Sequence, residues 1–416
     1  MVTDNIMGGH TRESNAQRGW GRGAKRAVSN WYMSKDEREL AMQVVKYPQR
    51  DGWSHRDLLR LCHIQSDYQG GKHSELRNSI YKFIVDGWED VGSDPHPVDE
   101  LALIWAAERA KKDISEEVLL KLIADYRLPM EVIPSEKQTK AVYEALIPHA
   151  GITWLIRNLG NLSNRGVIAT GQYSNLSTVT ERITNIELLK KGRVHPLFIL
   201  TALNTYKGGK GIRGGSEWPV VQDVVDALDS AFYLAFDAIE PTHQRYVLGI
   251  DVSGSMTTGC IAGMPGITPN IGASAMAMVT KRSEPYCAIM GFSRSFVDLG
   301  ISKTDRLDTV MRKTQLSSFG STNCAAPFQW ALENKVEADT FVVYTDSDTN
   351  HFHADHAVVA LRKYREKMGI PARLVVVGMN SGPFTVADPS DAGMLDIVGF
   401  NSAAPAVIAE FSKGNI

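Results

Sequence analysis

The chain has 416 residues, more than one ordinary hydrophobic core holds, so we expect two domains. Its 43% hydrophobic and 22% charged residues are ordinary for a globular protein, and the net charge of -2 neither requires nor excludes a nucleic-acid partner. No apolar run is long enough to span a membrane, the first residues lack the apolar core of a signal peptide, and the four cysteines show no pairing motif. We therefore expect a cytoplasmic protein with no membrane partner.

The first half of the chain is predicted to be almost entirely helical. From about Arg26 to Ile239, apolar residues recur at helical spacing in segments such as SELRNSIYKFIVDGW, VDELALIWAAERAKK and EEVLLKLIADYRL, which short turns rich in Pro, Gly and Asn join. The arrangement resembles the stacked helical pairs of HEAT-like repeats, although no repeated motif is visible. We predict a flexible segment over residues 1–25 and a helical-repeat module over residues 26–242.

Within this half, the stretch GWSHRDLLRLCH predicts a short helix with a basic stripe. Ser54 and Asp57 have the spacing of a capping box, so a helix should begin here. At about 100° per residue, Arg56, Arg60 and His63 fall on one face of that helix. A zinc site is not supported, because no Cys or carboxylate completes a familiar ligand spacing around the two histidines. An anion-binding surface and an ordinary solvated face both remain open.

A second basic cluster lies near the end of the helical half. It comprises Lys190, Lys191, Arg193 and His195, followed in the Gly-rich KGGKGIRGG by Lys207, Lys210 and Arg213. Such a cluster is compatible with contacts along the backbone of a single nucleic-acid strand, and equally with a mobile solvated loop.

After EPTHQR the pattern changes to short, wholly apolar strands that alternate with helices. The strands are YVLGID, YCAIMGF, TFVVYTD and ARLVVVGM. Apolar strands that alternate with helices predict a parallel sheet covered on both faces. Residues 243–416 are therefore predicted to form a doubly wound α/β domain, in which functional groups gather at the carboxyl ends of the strands.

Oxygen-bearing side chains stand at the ends of two of those strands. Asp251, Ser253 and Ser255 belong to the run that ends the first strand, Asp346 follows TFVVYT, and the loop SSFGSTN places Thr322 between them in sequence. Carboxylates and hydroxyls at one edge suit a hard divalent cation that keeps some of its waters, so we predict a Mg²⁺ site. The alternative is a capped helix start that needs no metal.

The motifs of several common enzyme classes are missing. Ser253 is not the nucleophile of a G-x-S-x-G motif, because positions 251 and 255 hold Asp and Ser. No P-loop and no G-x-G-x-x-G follows a strand, so nucleotide hydrolysis and dehydrogenase chemistry lack their phosphate-binding loops. We expect a protein that is not an enzyme.

Together these motifs resemble the Ro autoantigen family, in which a TROVE module of helical repeats precedes a von Willebrand factor A domain. The resemblance runs over nearly the whole chain from about Trp20, and it rests on WGRGAKRAVSNWY, KYPQRDGWSHRDLLRLCH, LIRNLGNLS, RVHPLFILTALNTYKGGKGIRG, DVSGSM and VVVGMNSGPFTVADPSDAGMLDIVGF. Less sequence precedes WGR than is usual in the family. We therefore expect a shortened bacterial-type or phage-type member, whose helical ring is open, smaller or completed by another subunit.

The resemblance implies a ribonucleoprotein scaffold. It implies that small noncoding Y-like RNA binds on the outer surface, and that single-stranded ends of misfolded RNA bind in a central hole for quality control or decay, with an exoribonuclease such as polynucleotide phosphorylase. The family positions associated with Y RNA fall on Lys46, Arg50 and His63. The ligands of the metal-ion-dependent adhesion site fall on the five residues predicted above to bind Mg²⁺.

An alternative to RNA binding is a function of another class. In this alternative, the chain is a protein-binding adaptor whose metal site binds an acidic residue of a partner protein. That reading predicts Mg²⁺-dependent protein capture that does not depend on Lys46, Arg50 or His63.

Overall fold

A computed structural model describes most of the chain in two compact units, which divide between Ala150 and Gly151. The described residues are 20–64, 72–88, 99–171, 173–212, 215–261, 266–293, 296–315, 323–346, 357–379, 386–399 and 404–416. The predicted domain boundary at residues 242 and 243 lies inside the second unit, where helices and sheet pack together, and it stays a prediction.

The first unit is helical, as its apolar periodicity predicts. Its helices are α1 (Arg22–Met33), α2 (Glu37–Lys46), α3 (His55–Cys62), α4 (Lys72–Asp86), α5 (Asp99–Lys111), α6 (Glu116–Tyr126) and α7 (Lys140–Leu146). Residues 101–107 of α5 are all buried, as expected for a helix that is apolar on most of its faces. A short antiparallel hairpin, β1 (Gln49–Arg50) and β2 (Trp53–Ser54), connects α2 to α3.

Among the described residues, the second unit begins with five helices and continues into the α/β sheet. The five are α8 (Ile152–Asn164), α9 (Tyr173–Ile183), α10 (Ile186–Lys191), α11 (Pro196–Lys207) and α12 (Gln222–Leu234). The helices that lie between or after the strands are α13 (Pro269–Ser283), α14 (Leu307–Gln315), α15 (Ala326–Glu333), α16 (Ala357–Met368) and α17 (Ala404–Lys413). In the described part of the chain, every helix is too short or too polar to cross a membrane.

Within the described part of the second unit, the sheet has six strands in the order β5-β4-β3-β6-β7-β8. They are β3 (Arg245–Asp251), β4 (Tyr286–Phe292), β5 (Phe296–Asp298), β6 (Thr340–Thr345), β7 (Arg373–Gly378) and β8 (Met394–Val398). The four apolar runs form the parallel centre, as predicted, but β5 is antiparallel to β4, so the sheet is mixed. The connection from β4 to β5 is too short for the crossover that a parallel pair needs.

Both faces of the central strands are covered. On one face, Val247 and Phe341 pack into a core with Phe328 of α15, whose ring centroid lies 4.7 Å from that of Phe341. On the other face, Tyr344 hydrogen-bonds with Thr280 of α13. Since β4 and β6 flank β3 on opposite sides, a crevice is expected at the carboxyl ends of β3 and β6.

Aromatic and guanidinium groups join α12 to α13 and to Arg306, which precedes α14. The Arg282 guanidinium of α13 lies 4.7 Å from the ring centroid of Phe236 and 5.1 Å from that of Tyr233. Arg306 approaches the Tyr233 ring as well, at 4.4 Å, and pairs with Asp229 of α12. These contacts explain why α12 belongs to the same compact unit as α13.

His195 is a structural residue rather than a member of a basic surface. Its Nδ1 atom accepts a hydrogen bond from the backbone N–H of Leu197 and so caps α11, while Nε2 is buried without a hydrogen-bonding partner among the described residues. Burial lowers the pKa of His195 to about 4, so the ring is neutral at pH 7. This corrects its inclusion in the second basic cluster.

We expect His195 to make folding weaker in mild acid. The folded-state pKa of His195 lies below its unfolded value of about 6.5, so the neutral ring contributes fully to the free energy of unfolding above pH 6.5. As the pH falls from 6.5 toward 4, up to about 3 kcal/mol of that free energy is lost. His195→Asn keeps an N-cap acceptor but cannot titrate. The apparent melting temperature should fall further in the wild type than in the variant between pH 7.5 and 5. Equal falls would contradict the assignment.

Candidate functional site

The short helix α3 begins where its sequence predicts. Asp57 donates its backbone N–H to Ser54 Oγ at 3.2 Å, and Asp57 Oδ2 accepts the Ser54 backbone N–H at 3.0 Å, which completes the capping box. Arg56 and Arg60 are exposed on this helix, and exposed His63 ends it in a left-handed conformation with φ of 51°. The predicted stripe is therefore accessible to solvent.

His55, at the start of the same helix, has a different role. It is only 9% exposed, shares a hydrogen bond with the Tyr32 hydroxyl, and interacts through its ring with backbone carbonyls of Tyr47 and Gln43. Burial lowers the pKa of His55, which favours a neutral ring. These contacts tie the start of α3 to the end of α2, and so bring the segment that carries Lys46 next to the stripe.

Lys46 and Arg50 extend the stripe beyond α3. Lys46 is the last residue of α2, and its Nζ atom lies 3.7 Å from Glu131 Oε1. Arg50 is in β1, its side chain is 69% exposed, and its Nε atom lies 3.5 Å from Asp51. We call the set the basic surface; its members are Lys46, Arg50, Arg56, Arg60 and His63. The Arg50 pair is exposed and the Lys46 pair is partly exposed; ion pairs in contact with solvent are weak, so a phosphate can replace the carboxylates.

Tyr47 is a candidate that the charge pattern did not reveal. Its side chain is 40% exposed, and Lys46 Nζ lies 5.2 Å from its ring centroid. An exposed aromatic ring among cations is the arrangement that stacks on nucleic-acid bases. The signal in the sequence was the aromatic residue directly after Lys46, which could be placed on the surface only once its exposure was known.

Two residues of the second basic cluster, Lys207 and Lys210, lie close together in the chain at the end of α11. Lys207 ends α11 and is exposed, and exposed Lys210 forms an isolated antiparallel bridge with Glu217. Arg213 lies outside the described residues. Lys207 and Lys210 therefore both lie at the start of the loop after α11.

The strand ends place four of the five predicted metal-binding residues at one edge of the sheet. Asp251 is completely buried at the end of β3; its Oδ1 accepts the backbone N–H of Ser253, and its Oδ2 accepts the Thr345 hydroxyl, both at 2.9 Å. The hydroxyls of Ser253 and Ser255 lie 3.1 Å apart. Asp346 follows β6, the neighbour of β3, and is 6% exposed. Thr322 lies outside the described residues.

The electrostatics of this edge favour a cation. Burial raises the pKa of Asp251 to about 6, the hydrogen bonds from Ser253 and Thr345 lower it, and the nearby charge of Asp346 raises it. Within the described residues, no three His, Cys, Asp or Glu side chains are grouped to hold a metal ion. A cation here would take the two carboxylates, serine hydroxyls and water, a set of oxygen donors that fits Mg²⁺.

Comparison with known proteins accounts for both halves. A model of the TROVE domain matches residues 10–209, and a model of the Ro60 vWA domain matches residues 245–412. The RNA-binding protein RO60 of Deinococcus radiodurans is 42% identical over 398 residues, covering 96% of this chain and 73% of that protein. The chain belongs to the Ro60 family.

Further Ro60 proteins agree in sequence and in fold. The RNA-binding protein RO60 of Caenorhabditis elegans is 34% identical over 435 residues, covering 96% of this chain and 67% of that protein. The crystal structure of the Ro (RSR) protein of Deinococcus radiodurans matches with a TM-score of 0.79 at 42% identity, over 96% of this chain and 79% of that one. The predicted bacterial-type Ro60 fold, a helical region followed by a vWA-like domain, is confirmed. Both curated relatives are named as RNA-binding proteins and neither as an enzyme, in agreement with the prediction that this chain is not an enzyme.

Proposed function

We propose that this chain is a noncatalytic RNA-binding protein that uses the basic surface to bind a structured RNA. The observation that carries the proposal is its similarity, over 96% of its length, to proteins named as RNA-binding. The exposed cations at the α2 to α3 junction support it, because phosphate contacts supply most of the sequence-independent affinity for RNA. His63 adds a ring that can stack or hydrogen-bond to a base or sugar.

The finer proposal concerns the RNA and its fate. We propose a small noncoding Y-like RNA as the ligand of the basic surface, and single-stranded or misfolded RNA as a second ligand near Lys207, Lys210 and Arg213. In this proposal the protein is a ribonucleoprotein scaffold for RNA quality control, which presents defective RNA to an exoribonuclease such as polynucleotide phosphorylase.

A triple variant tests the basic surface. Lys46→Ala, Arg50→Ala and His63→Ala together should weaken binding of a structured small RNA and make the slope of log affinity against log salt shallower by about 2, because two phosphate contacts are lost. Filter binding across a salt series measures both quantities.

The control for the triple variant is Lys111→Ala with Lys140→Ala, which removes two exposed cations from α5 and α7. It should bind as the wild type does. If both variants lose the same affinity, only net charge matters and the basic surface is not the site.

Tyr47 should contribute through stacking rather than charge. We expect Tyr47→Ala to lower affinity about tenfold at every salt concentration, with the wild-type salt slope, because a stacked base releases no counterion. Tyr47→Phe should keep the affinity, and Tyr173→Ala, which removes a ring that is 78% exposed elsewhere, should have no effect. A changed salt slope in Tyr47→Ala would argue against stacking.

We also propose that Asp251, Ser253, Ser255, Thr322 and Asp346 hold Mg²⁺. Its support is the burial of two neighbouring carboxylates beside paired serine hydroxyls. A bound cation would supply the positive charge that this edge lacks and would offer a coordination position to a ligand. These side chains would orient and desolvate the ion; the motif contains no general base that would make it a hydrolase.

The metal proposal predicts stabilisation by Mg²⁺. At a concentration about a hundredfold above the dissociation constant, Mg²⁺ should stabilise the wild type by about 2.7 kcal/mol and raise its apparent melting temperature by a few degrees. Asp251→Asn should not respond, whereas Asp308→Asn, a change of an exposed carboxylate in α14, should respond fully. An equal response of Asp251→Asn and the wild type would exclude this site.

The same edge supports an alternative function, a metal-dependent protein-binding adaptor. In it, an acidic side chain of a partner completes the coordination of the cation. Two variants distinguish the two functions. The triple variant should lose RNA binding only if RNA is the ligand of the basic surface. Asp251→Asn should abolish Mg²⁺-dependent protein capture only if the chain is a protein-binding adaptor.

A further inference from the structure

Two cations of the basic surface are paired with carboxylates before any ligand binds. Lys46 Nζ lies 3.7 Å from Glu131 Oε1, and Arg50 Nε lies 3.5 Å from Asp51 Oδ2. A phosphate that contacts either cation takes the place of a carboxylate. The basic surface is therefore less attractive to a polyanion than its lysine and arginines suggest.

The partner of Lys46 comes from a distant part of the chain. Glu131 lies in a single-turn 3-10 helix, Met130–Val132, which packs against α2. Val132 is buried, so this turn is held in place. The side chains of Lys46 and Glu131 are 22% and 36% exposed, so water screens this pair less than it screens the Arg50 pair. The contact between Lys46 and Glu131 is thus built by the tertiary fold.

The partner of Arg50 is fixed by the hairpin between β1 and β2. Arg50 is opposite Trp53 in the antiparallel ladder, so Asp51 and Gly52 form the whole turn. Both have positive φ, 51° and 81°, which is the pattern of a type I′ turn; such turns favour Asp or Asn followed by Gly. The turn therefore holds the Asp51 carboxylate next to Arg50 at the surface.

A third carboxylate of this surface is fixed by the capping box. Asp57 lies between Arg56 and Arg60 in the sequence, and its Oδ2 accepts hydrogen bonds from the backbone N–H and the hydroxyl of Ser54. These bonds hold the pKa of Asp57 below its usual range, and the nearby charges of Arg60 and Arg56 lower it further. Asp57 is therefore an ionised, structural part of α3, whereas the other two carboxylates are held to the basic surface by ion pairs that can open.

We propose that Glu131 and Asp51 are internal competitors of RNA: each carboxylate occupies its cation in the free protein and gives way when a phosphate binds. The inference rests on the proposed RNA-binding function and adds to it two acidic residues that limit its affinity. Because an ion pair in contact with solvent is weak, the competition lowers the affinity without blocking the site. The surface can thus release an RNA as well as bind one.

The test removes both carboxylates with Asp51→Asn and Glu131→Gln, which keep the shape of each side chain. Asparagine suits the first position of the turn as aspartate does. We expect each single variant to bind an internally bulged stem-loop RNA about threefold more tightly than the wild type, and the double variant about tenfold, in filter binding at low salt. The gain should shrink as salt is added, because salt screens the ion pairs that the wild type has to open.

Two double-mutant cycles assign the effect to these ion pairs. Glu131→Gln should lose its effect in the Lys46→Ala background, because the cation that the carboxylate occupies is gone. Asp51→Asn should lose its effect in the Arg50→Ala background for the same reason. An effect that acts only through the overall charge would be the same in both backgrounds as in the wild type.

The matched control is Glu108→Gln with Glu144→Gln. It opens ion pairs with Lys111 and Lys140 in the same unit and makes the same change in net charge as the double variant. It should bind RNA as the wild type does.

Three results would overturn the inference. In the first, the double variant binds RNA no more tightly than the wild type. In the second, the control gains as much affinity as the double variant, so that only net charge matters. In the third, the double variant binds more weakly, which would show that the carboxylates position the cations for RNA. Binding of RNA by neither the wild type nor the double variant would instead remove the proposed function itself.

Discussion

The second unit depends on the burial of β3 on both faces. When a strand has neighbouring strands on both sides and helices on both faces, its polar side chains can reach a ligand only at the carboxyl end of the strand. Asp251 stands at that end and is still completely buried. Its carboxylate is held by Ser253 from the next turn and by Thr345 from the adjoining strand, so the loop after β3 and the end of β6 share one charged group. Sheet order and site geometry are therefore consequences of the same packing.

The first unit is organised around a buried polar contact of another kind. His55 is buried among aromatic rings; its ring centroid lies 5.7 Å from that of Tyr32 and 6.0 Å from that of Trp31. By contacting the carbonyls at the end of α2, it sets the position of Lys46 and Tyr47 relative to α3. A histidine in the midst of arginines thus serves packing, while the exposed His63 at the other end of α3 is available to a ligand.

Charge and an aromatic group occur together at the basic surface, where the exposed Tyr47 ring lies beside Lys46. Glu131 and Asp51 pair with two of its cations, so the side chains that would bind phosphate already have ligands within the chain. An open surface of this kind suits a folded RNA. Lys207 and Lys210 lie in the other compact unit, which is why we assign them a different RNA ligand.

The sequence alone determined the elements and the family. Local sequence patterns predict the secondary structure, because backbone hydrogen bonding and the burial of one face depend on residues that are close in the chain. Examples are the capping box at Ser54 and Asp57, the four apolar strands and the helical periodicity. Long shared motifs identified the Ro60 fold.

Tertiary structure decided what each side chain faces. His195 and His63 are both histidines, yet His195 is buried and neutral because its ring caps the start of α11. Likewise, the edge strand β5 is set by pairing with β4, and position 160 of α8 requires glycine because Trp218, in the loop after α11, packs directly against it. The burial of a side chain depends on neighbours that are far away in the chain, and these neighbours cannot be predicted from residue type or local spacing.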